Sequence, residues 1–116
     1  MSKKLFLAAG LVLALGGAAV AHHGWGSYDA TKPVTVAGKI LTSRYENPHV
    51  ALTVQAPDKV WNVTLAPTSR MVNRGALAEL VAVGREISAV GYASTVEKDE
   101  IRAERITVDG KTIEMR

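Results

Sequence analysis

An apolar run over residues 5–20 opens the chain, and short segments in which apolar and polar residues alternate make up most of the rest. Alternation with a period of two marks half-buried strands, because successive side chains of a strand point to opposite faces. Val34, Val36 and Ile40 share one face while Thr35, Lys39 and Ser43 share the other. This predicts a first strand from Val34, with Gly38 as the place where it bends or bulges. Asn47-Pro48 interrupts it, since proline donates nothing to a ladder and biases its predecessor toward extended or turn geometry. Val50, Leu52, Val54 and Ala56 then alternate with His49, Ala51, Thr53 and Gln55, so a second strand is expected with His49 near its end and off its core face. Pro57-Asp58-Lys59 reads as a turn into a third strand that carries Trp61, Val63 and Leu65 on one face, and the two strands form a hairpin.

The pattern then changes. Ser69, after Pro67, is a candidate N-cap for a helical segment through Met71 and Val72, with Gly75 or Gly84 closing it in a left-handed conformation. Strands return over residues 87–93 and 101–108, separated by the polar turn Lys98-Asp99-Glu100, and Asp109-Gly110 is a tight hairpin signal into residues 112–115. The order is three strands, a helix, two strands and a terminal ribbon. It predicts a mainly β protein, a small OB-type five-stranded barrel with one short helix between strands three and four. An open antiparallel α+β sheet is the alternative.

Charge and composition change this picture at the N-terminus. Lys3 and Lys4, the apolar run and the small-x-small sequence Ala19-Val20-Ala21 form a signal peptide over residues 1–21, so export to the periplasm and no membrane span after processing are expected. Cleavage leaves 95 of the 116 residues: an irregular arm over 22–33, which Trp25 and Tyr28 would pin to the surface, and one domain over 34–116. The formal charge of +3 falls to +1 without Lys3 and Lys4, which argues against a nucleic-acid partner. Arg70, Arg74, Arg102 and Arg105 read as solvated surface charge balanced by Glu79 and Glu104. With no cysteine, thiolate metal sites are excluded, and any metal must be held by nitrogen and oxygen.

The motifs Ala21-His22-His23-Gly24-Trp25, Tyr28-Asp29, Glu46-Asn47-Pro48-His49, Leu65-Ala66-Pro67, Asn73-Arg74-Gly75 and Arg102-Ala103-Glu104-Arg105-Ile106 span nearly all of the mature chain. In them the sequence resembles an uncharacterised family of small exported bacterial proteins. That resemblance implies export and a compact β-rich domain, and it carries no activity.

Candidate chemistry rests on His22, His23 and His49, the three histidines of the chain. Cleavage after Ala21 would make His22 the first residue, where its free amine and Nδ1 chelate a metal together. One more imidazole, from His49 or less comfortably from adjacent His23, completes three nitrogens in an arrangement resembling a histidine brace. Nitrogen donors in a tetragonal set favour Cu(II) among first-row metals. The expected function is a periplasmic copper-binding module for storage, delivery or sensing. The alternative is a metal-free OB-type module that binds a protein, peptide or glycan. There is no Gly-x-Ser-x-Gly elbow, no phosphate-cradling loop and no sequence reason for paired carboxylates, so no enzyme is expected.

Overall fold

The computed structural model describes residues 24–116. The predicted signal peptide, His22 and His23 lie outside the described residues. A 3-10 turn at Trp25–Ser27 leads into strand β1 (Tyr28–Arg44). Strands β2 (Ala51–Gln55) and β3 (Val60–Thr64), helix α1 (Thr68–Asn73), a second 3-10 turn at Ala78–Val81, and strands β4 (Glu86–Ser94), β5 (Glu100–Val108) and β6 (Lys111–Glu114) follow. The protein is mainly β, as the alternation predicts. Antiparallel pairings run β3-β2-β1-β4-β5-β6, and β3 also pairs in parallel with β5, so a ring of pairings passes through β1, β2, β3, β5 and β4. That connectivity, with its helix between β3 and β4, is OB-type.

The ring holds because β1 is long enough to serve two partners. Residues 33–39 pair with β4 and residues 39–44 with β2. Between Ile40 and Thr42 the register against β2 slips by one residue, and Leu41 is left exposed. The bulge thus falls three residues beyond Gly38. Gly38 serves close approach instead, since a Cβ there would lie 1.9 Å from the Gln55 carbonyl oxygen. A second slip, between Val90 and Gly91 of β4, leaves Glu104 of β5 without a direct partner in β4. It switches the buried parity of β5 from Ile101 and Ala103 to Ile106 and Val108. The inward residues, including Val36, Ile40, Leu52, Val54, Val63 and Ile106, form one apolar cluster.

β1 begins at Tyr28, six residues earlier than the alternation indicates, so within the described residues only Gly24 to Ser27 remain outside the sheet from the expected arm. Ala30 to Pro33 are exposed, so they carry no alternating apolar signal that would mark a strand.

The helix differs from expectation at its start. It begins at Thr68 with Pro67 in the cap position, and the capping side chain comes from the β1–β2 loop. Asn47 Oδ1 accepts from the Thr68 backbone N–H (3.2 Å) and from Thr68 Oγ1 (2.9 Å). At the other end Gly75, with φ +85°, donates to the Val72 carbonyl and Ala76 N–H donates to the Met71 carbonyl, a Schellman closure. Six residues are too few for a helix to persist by propensity alone. Met71, fully buried, ties it to the core through a contact whose truncation typically costs about 2–5 kcal/mol. Asp109 and Gly110, both at positive φ, make the predicted two-residue turn between β5 and β6. Among the described residues no helix is long and apolar enough to cross a membrane.

Candidate functional site

One open cleft of about 730 Å³ lies where the start of β1, the Pro48-His49 end of the β1–β2 loop and the β4–β5 connection meet. Parallel pairing creates it by setting Thr64 of β3 opposite Arg102 of β5 and Asn62 opposite Glu100. Glu100 and Arg102, two residues apart on one strand, face the same side. His49 is delivered by the loop that Asn47 anchors to the helix, and it stands half-buried in the cleft wall, off the core face as its position in the alternation predicts.

Arg102 is the one buried charged residue among those described, 8% exposed. Its guanidinium carbon lies 4.3 Å from the Trp25 ring centre and 5.9 Å from that of Tyr28, and Nη2 is 3.2 Å from His49 Nε2. A guanidinium has only donors, so His49 Nε2 is the acceptor and the imidazole is the neutral tautomer with its proton on Nδ1. Burial, then the charges of Arg102 and Arg70, hold the His49 pKa below its usual value, while Glu100 acts weakly in the opposite direction. Burial also lowers the pKa of Arg102, with Arg70 and Arg116 adding to it and Tyr28 and Glu100 opposing.

On the other wall, Glu100 Oε2 accepts from Tyr28 Oη (2.7 Å) and Thr64 Oγ1 (2.6 Å). Burial first, then this bond and the charge of Glu100, push the Tyr28 phenol up to about 12, so it stays a donor at neutral pH. Trp25 is also covered by the guanidinium of Arg116, at 4.4 Å, and packs edge-on against Tyr92. The expected pinning of the arm by its aromatics is therefore seen at Trp25.

Of the three candidate ligands, only His49 is among the described residues, and there no group of three or more His, Cys, Asp or Glu side chains is gathered to hold a metal. Arg102 is the site residue that sequence reasoning misassigned: it is sunk beneath Trp25, not solvated. The other arginines of that set are occupied as well. Arg70 donates to the Met115 carbonyl, Arg74 to those of Glu114 and Arg116, and Arg105 pairs with Glu114. Glu104 lies 2.8 Å from Arg116, close enough to attract it but not aligned for a hydrogen bond. The missed signal was the break in alternation after Ala103, which marks a bulge beside Arg102.

A family of unknown function (DUF6152) matches residues 9–101. The chain belongs to this family. No curated protein matches it. Solved structures similar to this DUF6152 member include the ZRD-deleted mutant of TiaS, a tRNA agmatidine synthetase, in complex with agmatine, at 19% identity and a TM-score of 0.53, covering 72% of this chain and 26% of that one. The complex of TiaS with its tRNA and ATP is similar at 19% identity and a TM-score of 0.50, covering 70% of this chain and 19% of that one. The DUF6152 chain thus spans about a quarter or less of those chains, and the likeness is one of fold alone.

Proposed function

We propose that the chain is an exported, periplasmic metal-binding module that takes Cu(II) for storage, delivery or sensing and catalyses no reaction. In this reading the His22 amine and Nδ1 chelate the metal, His49 supplies a third nitrogen, and His23 stands beside them as ligand or bystander. The observation that carries it is the position of His49, neutral and facing the cleft next to the segment that leads back to His22. Trp25 touches Arg102 and Arg102 touches His49. His22 is three residues before Trp25, a span of about 10 Å when extended, so covalent reach permits the chelate.

Arg102 sets the difficulty of the site. Copper must either take Nε2 from the guanidinium or bind Nδ1 and invert the tautomer, and in both cases a fixed positive charge stands nearby. Correctly processed protein should bind one Cu(II) in a nitrogen-dominated tetragonal site by electron paramagnetic resonance. Competition titrations should show weaker binding in His49→Ala, and weaker still when one residue precedes His22, since the displaced amine takes the chelate ring with it. Equal affinity of the extended and native proteins would remove the terminal chelate from consideration. A metal-free binding module is the second reading, favoured by the cleft itself, whose walls carry opposite charges that do not pair with each other.

A further inference from the structure

Arg102 and Glu100 stand two residues apart on one face of β5, and no ion pair joins them. Tyr28 holds them apart, with its hydroxyl on Glu100 and its ring beside the guanidinium. Each keeps capacity in reserve. Among the described residues both hydrogen bonds to Glu100 fall on Oε2, leaving Oε1 without a donor, and a single N–H of Arg102 has a side-chain acceptor, His49. The remaining guanidinium nitrogens are not sealed in, and both residues line the cleft. A buried arginine held rigid by an aromatic face, with its free donors open to a cleft, is a preorganised carboxylate receptor.

We propose that the cleft binds a small zwitterion of the α-amino acid class, with its carboxylate on Arg102 and its ammonium group on Glu100. The placement suits this ligand. Residues i and i+2 of a strand rise toward the same side from backbone positions roughly 6.6 Å apart, so both charges line one cleft. The charge balance suits it too. Glu97 on the rim and Glu100 inside oppose a dianion such as phosphate, whereas a ligand with no net charge satisfies both walls. This assignment does not depend on copper, so it is tested on chelator-treated protein.

Glycine, acetate, methylammonium and inorganic phosphate are titrated while the Trp25 indole and His49 resonances are followed by NMR. Glycine should saturate, and about tenfold or more tighter than acetate or methylammonium, because only it makes both charge-assisted contacts. Glu100→Gln should erase the preference for glycine over acetate while acetate still binds. Arg102→Lys, which keeps the charge and loses the fork, should weaken glycine and acetate alike. A merely structural arginine stack would leave the ligand preference untouched in Glu100→Gln. The proposal is overturned if glycine gives no saturable shift, if it binds no better than acetate, if phosphate binds more tightly, or if the preference survives Glu100→Gln.

Discussion

Arg102 brings a permanent charge to a position where water reaches it poorly, and the answer of the fold is an aromatic face and a neutral imidazole in place of a carboxylate. That choice fixes the state of His49. Protonating its ring would turn an accepted hydrogen bond into a contact between two cations, with Arg70 adding to the repulsion and only Glu100 opposing it. The folded pKa of His49 is therefore below 6.5, its value in an unperturbed chain. Between those two values the unfolded chain binds a proton that the folded one refuses, so the contribution to stability is intact above pH 6.5 and declines as pH falls. It levels off once the folded value is passed. Chemical denaturation of native protein and His49→Gln across this range should show the decline in the native protein and a smaller one in the variant. Taking the difference cancels the contributions of His22 and His23, and identical pH profiles would contradict the assigned contact. From the sequence, the place of His49 outside the core was legible, because Val50, Leu52 and Val54 define the inward face. Its partner was not, because an arginine in a strand reads as solvated until a chain segment some 77 positions away is seen to cover it.

The strands were legible where alternation is unbroken, and their irregularities appear in the sequence only as changes of parity. In β5 the polar pair Glu104-Arg105 separates two apolar sets, and the structure resolves it as a bulge opposite Gly91. Gly91 is required there: a Cβ would lie 2.0 Å from the carbonyl oxygen of Arg102, a backbone atom with no freedom to step aside. Gly91→Ala should then cost roughly 1–3 kcal/mol, the range typical of overpacking, and should shift the resonances of Arg102 and His49. Gly26→Ala is the control, because a Cβ there meets nothing within 4 Å. Thermal and denaturant unfolding of the two variants should separate them clearly; equal stability would mean that β4 and β5 part more easily than this pairing implies. The helix start was hidden for another reason. Local capping rules look at the residues beside a helix, and Asn47 reaches Thr68 across 21 positions of chain.

For the whole molecule, the order of elements was enough to give the fold class, since a helix between the third and fourth of six strands leaves few ways to bury one apolar face on each. The positive charge of the domain is largely engaged within it, as Arg70 and Arg74 donate to carbonyls of residues 114–116 and Arg105 pairs with Glu114. DNA and RNA should consequently bind weakly and only at low ionic strength, a result that salt titrations by fluorescence anisotropy would establish; tight, sequence-selective binding at physiological salt would contradict it. The parallel contact between β3 and β5 has a further consequence, for the time course of folding. Residues 62–64 and 100–102 are 38 positions apart and the β1–β4 partners, from Lys39 with Glu86 to Tyr28 with Ser94, are 47 to 66 apart, so these two non-local pairings carry the loop-closure cost of the ring. The hairpins β2–β3 and β5–β6 form from neighbours and need no such closure. Thr64, Glu100 and Arg102 meet only when the β3–β5 seam is shut, so the cleft exists only in the closed ring. Any ligand seated there acts as a latch on the seam, stabilising the closed ring against the open one.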